Sequence, residues 1–237
     1  MSIEKNMKIP IIFWIYYLDL YEEFLPFLKQ EEVYPIFGLC NDNDNSQIIK
    51  SIENHFSEYE IQFFENRGAD IFPFIQQLNS IKEPYFIKIH TKRDSKWRGF
   101  LYNNVLNNIK ACTETLNQKE VVHPWGKKSK NDIGMIASKN CIVSNHEYTN
   151  SKQIIELCNI LDIDYSKVKL TRYVSGTMFM SRTDILKKYF NPEIILKISS
   201  LIERGKVEDK NSGTYTHALE RIFGYIITNE RMRIKSI

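Results

Sequence analysis

A dense group of polar side chains follows the apolar run from Tyr85 to Ile89. The next six residues, from His90 to Ser95, read HTKRDS, so an imidazole, a hydroxyl, an ammonium and a guanidinium stand where a buried strand would end. Cationic side chains and hydrogen-bond donors gathered in one place can neutralise phosphate groups. Because the whole chain carries a formal net charge of only +3, from 32 basic and 29 acidic residues, any anion site must be local.

Two other interpretations of this basic run stay open. Lys92, Arg93, Lys96 and Arg98 could form the solvated start of a helix, as runs of charge usually do. The stretch from Lys88 to Arg98 could also bind nucleic acid, but the near-neutral charge balance and the lack of interleaved stacking aromatics count against it. The strand-end position of the histidine and the following lysine favours the anion site.

Polar residues also follow three other predicted strands. Asp19 follows the first, the turn 41–44 follows the second, and the loop 66–70 follows the third. In an open parallel sheet, ligands bind at the carboxyl ends of the strands, where loops and helix N-termini converge. We expect this rim to bind a diphosphate, with His90 as a hydrogen-bond donor. The cationic candidates are Arg67, Lys88, Lys92 and Arg93, and the candidates for holding a ribose, a base or a sugar hydroxyl are Asp19, Asn66 and Asp70.

The sequence gives little support for a metal site. Asp42 and Asp44 have oxygen ligands that suit a hard cation, but a turn rich in Asn and Asp explains them without a metal. The four cysteines are scattered and form no cluster at metal-ligand spacing, which indicates ordinary thiols in a reducing compartment.

A second polar cluster lies near the C-terminus, in the stretch EDKNSGTYTHALERIFG from Glu208 to Gly224. On a helix, His217, Glu220 and Arg221 share one face by their spacing of three and four, and Asp209 lies near the approach to that helix. Such carboxylates could act as a general base toward a bound substrate. A surface ion pair, or a histidine satisfied in the core, would explain the same residues without catalysis.

The elements that must position these clusters alternate along the chain. Apolar runs and amphipathic segments predict an α/β fold with a mostly parallel sheet flanked by helices on both faces. No linker or break in composition divides the chain, so we expect one domain over residues 1–237, with 117–131 as its most mobile loop. The predicted strands are 9–17, 33–40, 60–64, 85–90, 133–137 and 173–180, and the predicted helices are 20–32, 47–56, 71–81, 100–116, 151–161, 184–190 and 215–227.

The apolar run at 9–18 is too short to span a bilayer and is closed by Asp19. It lacks the basic start and small-residue cleavage site of a secretory signal. We therefore expect a cytoplasmic protein, at most associated with the inner face of the membrane.

Five motifs together resemble the rhamnan synthesis protein F family of bacterial surface-polysaccharide enzymes. In chain order they read YYLDLYEEFLPFL, ENRGADIFPF, YFIKIHTKRDSKWRGFL, SGTMFMSR and GTYTHALERIFG, and they extend from about Phe13 to Gly224. The resemblance implies a glycosyltransferase domain that extends a cell-wall, capsular or lipopolysaccharide glycan from a nucleotide sugar. It also implies a Rossmann-like fold of the GT-A class.

The sequence departs from the family pattern at one position and from the usual GT-A pattern at another. Ser212 precedes Gly213 where the family commonly has an Asp-Gly pair, and the acids lie earlier, at Glu208 and Asp209. Where GT-A enzymes usually carry an Asp-x-Asp metal motif, this chain has HTK. Histidine and lysine would then take over phosphate neutralisation, so Mg or Mn is not expected to be essential.

The resemblance assigns three groups of residues to a nucleotide-sugar-dependent glycosyltransferase. The donor-binding group is Asp19, Asn66, Arg67, Gly68, Asp70, Lys88, His90, Thr91 and Lys92. The acceptor-side group is Ser175, Gly176 and Thr177. The catalytic group is Glu220 as the first choice of base, Asp209 as the second, and His217 to orient the acceptor.

The expected reaction moves rhamnose or a related hexose from a nucleotide-diphosphate donor to a glycan or lipid-linked glycan acceptor. The alternative is a non-catalytic module that binds a nucleotide or glycan within a polysaccharide assembly complex. Hydrolysis of the nucleotide sugar without acceptor would begin to separate the two.

Overall fold

Within the described residues, a seven-stranded mixed sheet forms the centre of the fold. The computed structural model describes residues 8–122, 126–144, 150–205, 208 and 213–237. The strands are β1 (Ile9–Ile15), β2 (Val33–Cys40), β3 (Glu60–Phe64), β4 (Tyr85–His90), β5 (Glu120–Val122), β6 (Lys128–Lys130), β7 (Ile133–Ala137), β8 (Ile142–Ser144), β9 (Arg172–Val174), β10 (Phe179–Arg182) and β11 (Arg233–Ser236). The central sheet has the order β11-β7-β10-β4-β1-β2-β3, and β5-β6 and β8-β9 form two small antiparallel pairs.

The central sheet is largely parallel. Strands β3, β2, β1 and β4 pair in parallel, and β11 is parallel to β7. Strand β10 is antiparallel to both of its neighbours, β4 and β7. Every residue of β1, β4 and β7 is buried, so both faces of the sheet are covered at its centre. The prediction of an α/β fold with a mostly parallel sheet is confirmed.

Helices make up most of the remaining structure. They are α1 (Leu25–Leu28), α2 (Ser46–His55), α3 (Ile71–Leu78), α4 (Ser95–Leu106), α5 (Ile109–Asn117), α6 (Ser151–Ile160), α7 (Tyr165–Val168), α8 (Thr183–Lys187), α9 (Pro192–Leu201) and α10 (Tyr215–Asn229), with 3-10 turns at Leu18–Phe24 and Lys139–Cys141. Among the described residues, no helix has the length and apolar character needed to cross a membrane.

The predicted strand 173–180 is wrong. Two short strands, β9 and β10, flank a turn at Ser175 to Thr177, and they belong to different sheets. Gly176 and Thr177 have φ angles of 82° and 50°, which no regular strand contains. Both flanking segments are buried, so their apolar side chains resemble one continuous strand in the sequence.

Three predicted helices also differ from the structure. The segment 20–32 contains a 3-10 turn and the short α1, and 100–116 is divided between α4 and α5. The predicted helix 184–190 is the shorter α8, and Pro192 after it occupies the first turn of α9, where its missing N–H costs nothing. The predicted loop 117–131 contains the β5-β6 pair, and its residues 123–125 lie outside the described part.

An aromatic cluster joins the elements that carry the predicted site. The ring of Phe74 on α3 lies 5.3 Å from Phe86 on β4 and 5.6 Å from Phe223 on α10, measured between ring centroids. Phe179 on β10 lies 5.7 Å from Phe223. All four side chains are buried. This packing fixes α3, β4, β10 and α10 relative to one another.

Gly224 lets α10 approach β9 closely. A Cβ atom there would lie 2.2 Å from the carbonyl oxygen of Arg172 and 2.9 Å from the Cα of Tyr173. We expect Gly224→Ala to destabilise the protein by about 1–3 kcal/mol, because backbone must move to admit the methyl group. Urea denaturation followed by circular dichroism measures this.

Gly99 in α4 is the matched control for Gly224. Its added Cβ would meet nothing closer than 3.4 Å, and that neighbour is the side-chain amide of Asn103. Gly99→Ala should therefore stabilise the protein by about 0.5–1 kcal/mol, the ordinary gain of alanine in a helix. Equal stability of the two variants would contradict the close approach of α10 to β9.

Candidate active site

Thr91 joins the carboxyl ends of β1 and β4. Its N–H donates to the carbonyl of Trp14 over 3.1 Å, and its hydroxyl accepts from the N–H groups of Tyr16 (3.1 Å) and Tyr17 (2.9 Å). The side chain is buried. Thr91 therefore holds the chain leaving β1 against the chain leaving β4, and its hydroxyl accepts from backbone rather than standing free for a ligand.

Arg98 fixes the backbone of the loop after β4. Its guanidinium forms a bidentate ion pair with Glu23, with Nε–Oε2 and Nη2–Oε1 distances of 2.9 and 2.7 Å, and also donates to the carbonyl of Lys92. Asp94 begins α4 by accepting from the N–H of Trp97 over 2.8 Å. The loop that carries Lys92 is thus held at both ends.

A cavity of about 340 Å³ opens where these strand ends meet. Its lining consists of Trp14, Tyr16, Tyr17, Asn66, Ala69, Asp70, His90, Thr91, Lys92, Arg93, Asp94 and Gly205. Asn66, Asp70, His90, Thr91 and Lys92 from the predicted donor-binding group therefore lie together. The Lys92 side chain is partly exposed, and no hydrogen bond or ion pair joins its ammonium to any described residue.

A network of buried charges lies at the base of this cavity. The fully buried Lys88 ammonium donates to Asp70 and to the carbonyl (3.0 Å) and hydroxyl (2.9 Å) of Thr177. The Thr177 hydroxyl donates to Asp70 over 2.6 Å. Nδ1 of His90 lies 3.2 Å from the same carboxylate, in poor alignment for a hydrogen bond. Lys88 is therefore paired inside the protein and does not line the cavity.

Burial and pairing shift the pKa values in this network. Burial lowers the pKa of His90 to about 3 although the nearby Asp70 opposes the shift, so the imidazole is neutral at physiological pH. Burial also lowers the pKa of Lys88, against the charge of Asp70. Burial alone would raise the pKa of Asp70. The nearby His90 and Lys88, and the hydrogen bonds from Lys88 and Thr177, bring its pKa below the ordinary value. Asp70 is therefore ionised at physiological pH.

The turn from Ser175 to Thr177 connects this network to α10. The N–H of Gly176 donates to Oε1 of Glu220 over 2.5 Å, next to the Thr177 that binds Asp70 and Lys88. Burial raises the pKa of Glu220, while the Gly176 hydrogen bond lowers it. Glu220 does not line the cavity itself but is linked through Gly176 and Thr177 to Asp70, which does. A partly buried carboxylate with a raised pKa is a candidate general base.

Of the catalytic residues predicted near α10, His217 lies in the first turn of the helix and contacts Thr214, the residue that begins it. His217 Nδ1 lies 2.6 Å from the hydroxyl of Thr214, which also accepts from the His217 N–H over 3.1 Å to begin the helix. Glu203 accepts from the N–H groups of Tyr215 (2.6 Å) and Thr216 (3.0 Å). Asp209 and Ser212 lie outside the described residues.

A larger cavity of about 880 Å³ adjoins the first and shares Tyr16, Tyr17 and Arg93 with it. Asp19 lines this cavity rather than the smaller one, and it pairs with Arg93. The Arg93 guanidinium also lies 4.5 Å from the centre of the Tyr17 ring. Asp19 is thus separated from Asp70 and His90 but lies in a connected space.

Two members of the predicted donor-binding group face elsewhere. Arg67 donates to the carbonyl of Ser199 on α9 over 2.8 Å and lines a different cavity. Gly68 has a φ of 63° and would place a Cβ 2.6 Å from the Cβ of Phe72, so it shapes the turn before α3. Neither residue lines the cavity that contains Lys92.

Several residues of the site were not predicted from the sequence. Tyr16 and Tyr17 line both adjoining cavities, and their place directly before Asp19 at a strand end could have indicated them. Glu203 lines neither cavity but holds the start of α10, and it offered no such signal because its partners begin 12 residues later. Gly205 reaches the cavity through a hydrogen bond to the carbonyl of Asn66 (2.7 Å), a contact between distant segments.

The model of one protein family, Rhamnan synthesis protein F, matches residues 1–232. The chain belongs to this family. Membership associates it with polysaccharide synthesis and confirms the resemblance drawn from the five motifs.

Two curated relatives of this rhamnan synthesis protein F chain are the WxcX proteins of Xanthomonas campestris pv. campestris, strains B100 and ATCC 33913. Each is 22% identical over 249 residues, which cover 96% of this chain and 32% of the relative. The chain thus spans about a third of the length of the curated relatives it matches. Among solved structures, HddC from Yersinia pseudotuberculosis aligns with a TM-score of 0.41 and 14% identity, covering 78% of this chain and 81% of that one.

At the end of β4, this rhamnan synthesis protein F chain has His90, whose buried imidazole is neutral, and Lys92 two residues later. No group of three or more His, Cys, Asp or Glu residues within the described ranges could hold a metal ion.

Proposed function

We propose that this domain is a glycosyltransferase that moves a sugar, rhamnose or a related hexose, from a nucleoside diphosphate donor to a growing surface polysaccharide. The observation that carries the proposal is the Lys92 ammonium. It lines a cavity at the carboxyl ends of β1 and β4 and pairs with no described residue, whereas Lys88, Arg93 and Arg98 have carboxylate partners. A cation without an internal partner is available to a ligand anion.

The donor would occupy the two connected cavities. Its diphosphate and sugar fit the 340 Å³ space beside Lys92, His90 and Asn66, and its nucleoside fits the 880 Å³ space beside Asp19 and Tyr17. The uncharged imidazole of His90 supplies one hydrogen bond and avoids the desolvation cost of a second buried cation. Both volumes lie in the range of small-molecule sites.

The chemistry then requires one base and one stabilised leaving group. The acceptor hydroxyl oxygen attacks the anomeric carbon, the bond from that carbon to the diphosphate oxygen breaks, and its electron pair leaves with the diphosphate. Glu220 takes the hydroxyl proton, and Lys92 stabilises the growing phosphate charge. The turn from Ser175 to Thr177 forms the acceptor side, with His217 orienting the acceptor. Because Lys92 and His90 supply the charge and the hydrogen bond at the phosphate, we do not expect a divalent ion to be essential.

Replacing Lys92 with alanine tests this proposal directly. Turnover should fall by about 10²- to 10³-fold, because one preorganised charge on the leaving group is lost. Nucleoside diphosphate binding should weaken as well, which titration calorimetry with dTDP, UDP, GDP and ADP measures. Thermal unfolding should stay unchanged, since the ammonium has no partner among the described residues.

Lys96 provides the matched control. It lies in the same basic run, is exposed, and does not line the cavity. Lys96→Ala should bind nucleoside diphosphates and turn over like the parent. The proposal fails if Lys92→Ala keeps parental turnover, or if none of the four nucleotides binds the parent protein.

A further inference from the structure

Another cavity, of about 310 Å³, lies at the carboxyl ends of β2 and β3, on the same rim of the sheet as the donor cavities. Its lining includes Asn41, Phe63, Glu65, Arg67, Gln76 and Ser199. Asn41 follows β2 and donates its N–H to the carbonyl of Phe64 over 2.9 Å, which closes the strand ends against each other. The reaction proposed above uses none of these residues.

The segment 65–67 separates this cavity from the donor cavity. Asn66 lines the donor cavity, while its neighbours Glu65 and Arg67 line the other. The segment bends sharply at Asn66, because the Arg67 N–H donates to the carbonyl of Glu65 over 2.8 Å. This segment is paired with the chain at 203–205. The Gly68 N–H donates to the carbonyl of Glu203 over 3.0 Å, and the Gly205 N–H donates to the carbonyl of Asn66 over 2.7 Å. The segment 65–67 therefore forms a thin wall with one cavity on each side.

The groups in this cavity suit a sugar ring. The side chain of Phe63 is 50% exposed, and an aromatic face packs against the C–H groups on the apolar side of a pyranose. Around it stand the carboxylate of Glu65, the guanidinium of Arg67 and the exposed amides of Asn41 and Gln76, which hydrogen-bond hydroxyls.

Two details favour a neutral ligand that accepts a hydrogen bond. Arg67 Nε is buried and has no hydrogen-bond partner, although its Nη1 donates to Ser199. A buried donor without a partner is costly, and a ligand hydroxyl oxygen would satisfy it. The carboxylate of Glu65, which lies 3.9 Å from the Arg204 guanidinium, also lines this cavity, and its negative charge disfavours a phosphate there.

We propose that this cavity is a second glycan-binding site that holds a sugar unit of the polysaccharide away from the reacting end. The choice of a rhamnose polymer rests on the proposed function, but the site itself rests on Phe63, Glu65, Arg67 and the amides around them. Binding here would keep the growing chain on the rim of the sheet between additions.

NMR titration with a short oligorhamnose tests the site. In the parent protein, the backbone amide signals of Phe63, Glu65, Arg67 and Ser199 should shift on titration. Phe63→Ala should weaken binding by about 10-fold, the loss expected for one aromatic contact. Gln76→Ala, at another exposed position of the lining, should weaken it by a smaller factor.

Leu170→Ala is the control, because Leu170 is 86% exposed but does not line the cavity. It should bind the oligosaccharide like the parent. Phe63→Ala should also retain nucleoside diphosphate binding, and Lys92→Ala should retain oligosaccharide binding, so failure of one site is distinguishable from failure of the other. Oligorhamnose shifts that are absent from the parent, or equal in the parent and both lining variants, would overturn the second site.

Discussion

Replacing Lys88 with methionine is expected to destabilise the fold by about 3–5 kcal/mol, the usual result of removing one partner from a buried ion pair. Methionine has a similar length but leaves the carboxylate of Asp70, which is 15% exposed, without its ammonium partner. It also leaves the carbonyl of Thr177 without the donor 3.0 Å away. Urea denaturation at neutral pH measures the loss.

Two variants show whether the loss comes from the buried pair. Lys197→Met breaks an exposed ion pair with Glu193 and should change stability by no more than about 0.5 kcal/mol. Adding Asp70→Asn to Lys88→Met removes the uncompensated charge and should restore part of the lost stability. If Lys88→Met is as stable as Lys197→Met, Lys88 is not the paired, buried cation described above.

The buried pair is linked to the proposed base through the turn from Ser175 to Thr177. Lys88 and Asp70 both bind Thr177, whose neighbour Gly176 donates to Glu220. The network therefore ties the wall of the donor cavity to the carboxylate proposed as the base. These contacts also hold the turn in place, although two of its successive residues have positive φ angles.

Much of the sheet could be predicted because its first four strands are apolar runs followed by polar turns. The predicted strands 33–40, 60–64 and 85–90 coincide with β2, β3 and β4. In β2 and β4 burial and β-propensity act in the same direction, so local pattern and tertiary structure agree, whereas β3 has no buried residue and follows its β-propensity alone. The position of the site at the strand ends followed from the same regularity.

The turn at Ser175 to Thr177 could not be predicted in this way. Val174 and Met178 on either side of it are buried, so the sequence has the pattern of one buried strand. Thr177 adopts a φ of 50° only because distant residues hold it, and those contacts lie outside any local window. Gly176 was the single local hint of a break.

The directions of individual side chains were harder to predict than their places on the rim. Arg67 and Asn66 are adjacent, yet they face different cavities, because Arg67 is drawn to a carbonyl on α9. Lys88 was expected to neutralise a ligand, but its position inside a central strand makes its pairing with Asp70 necessary. Such choices depend on contacts outside any local window, 18 residues apart for Lys88 and Asp70 and 132 for Arg67 and Ser199.

Replacing Glu220 with glutamine is expected to lower turnover by about 10²- to 10⁴-fold, the usual contribution of a positioned general base. The amide oxygen can still accept from the Gly176 N–H, so the turn and the fold should persist. Burial raises the pKa of Glu220, so activity of the parent should fall on the acidic side as this carboxylate becomes protonated. In Glu220→Gln that acidic limb should disappear from the residual rate.

Glu230→Gln is the matched control, since Glu230 lies at the far end of the same helix and pairs with Lys188 over 2.5 Å. It should retain turnover, with at most a small loss of stability from its exposed ion pair. The measurement is release of nucleoside diphosphate from a nucleotide sugar with a rhamnan acceptor, over a range of pH. If Glu220→Gln kept both its rate and its acidic limb, the base would have to be another residue. The assignment of Lys92 would be unaffected, because Lys92 acts on the leaving diphosphate and the base acts on the acceptor hydroxyl.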